Sequence, residues 1–76
     1  MIRELDTVVL RRDAAEHGLK KGDVGAVVHR YADRAGLEVE FVTAEGKTIA
    51  LLTLTEADVR PMRSGEILHA RDLASA

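Results

Sequence analysis

An all-β domain of five short strands closing into a small barrel is the fold class this 76-residue chain predicts, on three observations. Leu19-Lys20-Lys21-Gly22-Asp23-Val24-Gly25-Ala26-Val27-Val28 is a polar turn, with two glycines three residues apart, that opens straight into a β-branched run. Lys21-Gly22-Asp23 has the chemistry of a tight turn, and Gly25 inside the following strand permits the sharp bend or close backbone approach that so small a barrel needs. Leu37 to Thr43 alternates apolar and polar at a period of two, and glycine-bearing turns bound the runs on either side of it.

Taken in order, Asp6 to Arg12 reads as the first strand, carried by Val8, Val9 and Leu10. Asp13 to Asp23 is a long polar loop, and Val24 to Tyr31 is the second strand. Ala32-Asp33-Arg34-Ala35-Gly36 is a turn with Gly36 suited to a left-handed position. In the third strand, Leu37, Val39 and Phe41 face a core while Glu38 and Glu40 face water. Ala44-Glu45-Gly46-Lys47 turns the chain into the fourth strand, Thr48 to Leu54. A four-residue turn that pairs Thr43 with Thr48 sets Phe41 opposite Ala50, Val39 opposite Leu52 and Leu37 opposite Leu54. The opposite face then carries Glu38, Glu40, Val42, Ile49, Leu51 and Thr53.

Thr55-Glu56-Ala57-Asp58 pairs an N-cap residue with acidic first-turn residues, which predicts one helical or 3₁₀ turn before a last short strand, Val59 to Met62, with Pro61 at the sheet edge. Residues 1–62 form the barrel. Residues 63–76 form a separate C-terminal segment, in which Ser64 to Ala74 is expected to be a short helix with Ile67, Ala70, Leu73 and Ala74 on one side. Three turns are marginal alone in water, so such a helix must pack on the barrel or on a partner.

Composition narrows the function. With no cysteine there is neither a disulfide framework nor a thiolate metal site, which suits a reducing cytoplasm, and stability rests on packing. The N-terminus lacks the apolar core of a signal peptide and no apolar run approaches the ~20 residues of a membrane span, so a cytoplasmic protein is expected. Eleven Lys+Arg against thirteen Asp+Glu leave a net charge of -2, which argues against a nucleic-acid partner. One Tyr and one Phe cannot line the aromatic groove that grips proline-rich peptides or the cage that holds methyl-lysine.

A strand, a long glycine-bearing loop, a three-stranded meander, a 3₁₀ turn and a short final strand follow one another as in SH3-like barrels. Leu5-Asp6-Thr7-Val8-Val9-Leu10, Glu16 through Val28, Glu38-Val39-Glu40-Phe41 and Ala50-Leu51-Leu52-Thr53-Leu54 together resemble the small bacterial family catalogued as domain of unknown function 4926. The resemblance covers roughly residues 2 to 62. It implies a bacterial cytoplasmic SH3-like barrel of no established activity, and it carries over no catalytic residues.

The residues themselves offer little to catalysis. His17, His29 and His69 have no metal-ligand spacing, so no metal or cofactor is expected. Glu38 and Glu40 sit about 7 Å apart on the wet side of a strand. Ser64 and Ser75 lie in the tail without a base in reach. Arg11, Arg12, Lys20, Lys21, Arg30 and Arg34 are interleaved with Asp13, Glu16, Asp23 and Asp33 and read as a solvated rim. The outward apolar set is different, because Val42, Ile49 and Leu51 need a cover, either Ile67 and Leu73 of the tail or a second subunit. These five residues are the expected partner-binding surface. The expected function is a non-enzymatic protein-interaction module or small accessory subunit, possible as a homodimer. An antitoxin or immunity-type partner of another protein is the first alternative, and a nucleic-acid-binding barrel the second.

Overall fold

The computed structural model describes residues 2–32 and 36–73. The β-branched and alternating runs form five strands, β1 (Thr7–Leu10), β2 (Val24–Arg30), β3 (Gly36–Val42), β4 (Thr48–Thr55) and β5 (Val59–Pro61). Every pairing is antiparallel, and the single sheet has the order β4-β3-β2-β1-β5. The turn expected at residues 32–36 falls largely on residues 33–35, outside the described residues, and Arg34, Ala74 and Ser75 lie outside them too.

One core holds the sheet together. Val8 and Leu10 of β1, Val27 of β2, Leu37, Val39 and Phe41 of β3, Ala50 and Leu54 of β4 and Val59 of β5 belong to one buried cluster with Ile2, Ala14 and Leu19. Because the strands at both ends of the sheet feed the same cluster, the sheet curls around it. Gly25 makes that curl possible. A Cβ there would lie 2.8 Å from Phe41 Cε1, 2.8 Å from Val39 Cγ1 and 3.0 Å from the Glu40 carbonyl oxygen, so only glycine lets β3 press so close against β2.

The β3–β4 register is Leu37 with Leu54, Val39 with Leu52 and Phe41 with Ala50, as the alternation requires. It then slips by one. Val42, not Thr43, pairs with Thr48, leaving Ile49 as a bulge residue. The turn closes itself with the Thr43 N–H donating to the Lys47 carbonyl at 2.9 Å, the Lys47 N–H to Thr43 Oγ1 at 3.1 Å and Gly46 at φ +91°. The bulge rotates Ile49 inward, where it is half-buried against the core instead of standing outward with Val42 and Leu51.

Thr55 to Asp58 makes the single turn expected there, with the Asp58 N–H donating to the Thr55 carbonyl at 2.9 Å and the Asp58 carboxylate accepting the Thr55 N–H at 2.9 Å. A 3₁₀ helix not foreseen lies in the first loop, at Ala15–His17, closed by Gly18 at φ +71°. One local expectation, the tail helix, is corrected. From Ser64 to Leu73 there is a turn at Ser64-Gly65 and no helix. A three-turn helix has little stability of its own, and here Glu66 and Arg71 are drawn away into pairs with the sheet, as described next.

Candidate interaction surface

Along each strand the residues not aimed at the core form an outer face. Arg60 of β5, Val9 of β1 and Val24 of β2 stand in one row on it by the observed register. Val9 is buried yet is no part of the core cluster. The C-terminal segment is fastened at both ends of that row. Glu66 takes two bonds from the Arg60 guanidinium, 2.9 Å from Nη1 to Oε1 and 2.7 Å from Nη2 to Oε2, and a third from the Arg63 N–H at 2.7 Å. Arg71 grips Asp23 at the entry to β2, with Nε 2.8 Å from Oδ1, and its Nη2 donates to the Gly18 carbonyl at 3.0 Å. Between these two forked pairs the segment lies as a strap.

Both carboxylates respond to their partners. The Arg60 guanidinium, helped by the Arg63 N–H, brings Glu66 down to about 2. Arg71 likewise holds Asp23 below the usual carboxylate range, with the Lys20 N–H adding to it and burial opposing it. Carboxyls whose folded pKa is depressed stabilise the structure above their unfolded pKa and lose that contribution as the pH falls through the folded value. Acidification from about pH 6 to below about pH 2 is therefore expected to free the strap before the sheet unfolds. NMR backbone relaxation should show residues 66–73 gaining fast motion while Val39 and Phe41 stay rigid. Arg71→Ala should loosen the same residues at neutral pH, and order parameters unchanged by either treatment would separate the clasps from the order of the strap.

Beside the strap runs a groove of about 700 Å³ lined by Leu19, Val24, Phe41, Val42, Ile49 and Leu73, with Asp23, His69 and Arg71 among its polar residues. Three of the five residues expected to meet a partner, Val42, Ile49 and Leu73, thus converge. The other two do not line it. Leu51 stands on the outer face opposite Glu40, 55% exposed, and Ile67 projects from the strap at 90%. The strap is therefore only a partial cover, and Val42 is still 53% exposed.

The forked pairs were not legible in the sequence. Arg71 and Asp23 are 48 residues apart, and no local spacing announces a contact at that range. The remaining candidates are spread out and occupied. Glu38 accepts from the Thr53 hydroxyl and Glu40 from Thr48 Oγ1 at 2.7 Å, each across the hairpin. His29 lies 3.2 Å from Glu4 and edge-on to Tyr31, His17 is in the first loop and His69 in the strap. Among the described residues no three His, Asp or Glu side chains gather as a metal site would need. Of the basic rim, Arg12 pairs with Asp58 at 2.8 Å and Arg30 with Glu56 at 2.6 Å.

A single curled antiparallel sheet with a strapped outer face and a half-apolar groove defines a small all-β domain. Residues 4–61 match the family described as Domain of unknown function (DUF4926), and the chain belongs to that family. The match ends before the strap. No curated protein and no solved structure matches the chain. No helix among the described residues is long and apolar enough to cross a membrane.

Proposed function

We propose that this protein is a non-enzymatic protein-interaction module or small accessory subunit, an SH3-like barrel working in the bacterial cytoplasm. The observation that carries the reading is that Val42 and Leu51, 53% and 55% exposed, stay open on the outer face even with the strap in place, Val42 at the rim of the half-apolar groove. Apolar side chains left uncovered by the chain's own tail, one of them at the groove and one beyond it, favour contact with another protein. The strand order, with β5 returning to β1 after a meander, supports the barrel type. The cysteine-free sequence suits a reducing compartment.

The test is affinity capture from the native source, comparing the wild type with Val42→Asp/Leu51→Asp. Both positions face solvent, so the variant should keep the wild-type circular dichroism spectrum. A separately encoded protein captured in stoichiometric amount by the wild type, and at least about tenfold less by the variant, is the expected result. Equal capture by both, or no capture by either, would overturn the reading.

A further inference from the structure

The two edge strands of the sheet are treated differently. β5 is three residues long, carries Arg60 and Pro61, and has the strap clasped to it through Glu66. Short length, charge, proline and a covering segment are the usual means of keeping an edge from pairing. β4 has none of these four, and its one irregularity, the bulge at Ile49, lies near its start and leaves Ala50 to Thr55 in regular register. It runs for eight residues, Thr-Ile-Ala-Leu-Leu-Thr-Leu-Thr, without a charge or a proline. Among the described residues no loop and no strand other than β3 hydrogen-bonds to the backbone of Thr48 to Leu54.

The ends of β4 indicate what covers it. Lys47, which makes no ion pair among the described residues, precedes the strand, and Glu56 follows it. Glu56 commits Oε2 to Arg30 and has Oε1 to spare. An antiparallel copy of β4 would bring Lys47 of each chain to the Thr55-Glu56 end of the other, so the charges are complementary at both ends. The symmetry also selects the centre. Directly opposite residues share a sheet face, so a two-fold axis between identical antiparallel strands must set one residue against itself. The midpoint of β4 falls between Leu51 and Leu52, and Leu52 is already packed on the core. Leu51 is the outward one, 55% exposed.

We propose that a second copy of this chain pairs with β4, antiparallel and edge to edge, with Leu51 opposite Leu51 on the two-fold axis. This rests on the interaction-module reading and names one occupant for its surface. The two sheets become continuous, and two half-exposed leucines cover each other on the outer face.

Light scattering on the purified full chain tests it, with the mass expected to rise from 8.3 kDa toward twice that between micromolar and millimolar concentration. Leu51→Lys, which puts on β4 the kind of charge β5 already carries, should remain monomeric with an unchanged dichroism spectrum. The register is read by single cysteines, since the chain has none of its own. Leu51→Cys places the two Cα atoms about 5 Å apart, within disulfide range, whereas Thr53→Cys sets them about 14 Å apart. Mild oxidation should give a covalent dimer of Leu51→Cys and at least tenfold less of Thr53→Cys. A wild type that stays monomeric throughout, a dimer that survives Leu51→Lys, or equal cross-linking at both positions would overturn the proposal. A monomer that still captures another protein through Val42 and Leu51 would overturn the dimer and leave the module reading standing, while a monomer that captures nothing would overturn both.

Discussion

Phe41→Ala is expected to cost about 3 to 5 kcal/mol of folding stability, against less than about 1 kcal/mol for Glu40→Ala beside it on β3. Phe41 is 3% exposed and is the only phenylalanine in the chain, so no neighbouring ring can fill the space it leaves. Its loss removes apolar surface from the core and opens a cavity against Gly25 and Ala50, two residues with almost no side chain to collapse into it. Glu40 stands on the other face, and its loss forfeits one hydrogen bond from Thr48 on the solvent side of the hairpin. Chemical denaturation of the two variants measures the difference directly. Similar losses at both positions would mean that β3 does not present its faces as described.

Gly25→Ala carries the second large effect, expected at about 3 kcal/mol, the upper end of what overpacking a core costs. Two of the three atoms an added Cβ would strike, Phe41 Cε1 and Val39 Cγ1, are side-chain atoms of β3. The third, the Glu40 carbonyl oxygen at 3.0 Å, is backbone of the strand paired with β2, and it cannot retreat without stretching that pairing. Phe41→Leu in the Gly25→Ala background should therefore recover part of the loss and never all of it. A double-mutant cycle would show this as coupling between the two positions. Strict additivity would place the strain in the backbone alone.

These two residues also mark how far sequence reasoning reached. Period-two alternation assigned Phe41 to the core and Glu40 to water, because inside a strand a side chain's face follows from its parity. The same logic placed Leu37, Val39, Ala50 and Leu54 inside and paired them correctly across the hairpin. Gly25 was legible as a point of close approach, since a glycine within a β-branched run has few other uses. The family resemblance was legible too, over nearly the residues that match.

Parity fails where a residue is added or a segment has no period. One bulge at Ile49 moved that side chain from the outer face to the core margin, and a bulge depends on how the Ala44-Lys47 turn closes. Ser64 to Leu73 has enough apolar spacing for a helix, but its charged residues find partners on the sheet, Glu66 at Arg60 and Arg71 at Asp23. Those partners are brought within reach only after β5 has returned to β1. What this chain determined by itself was the strands, their inward faces, the register of the β3–β4 hairpin and the need for glycine at position 25, all set by short-range alternation and steric limits. The bulge, the strap and the contrast between a guarded and an unguarded sheet edge were decided by tertiary structure, because each depends on groups distant in sequence meeting across a surface that exists only once the sheet has curled.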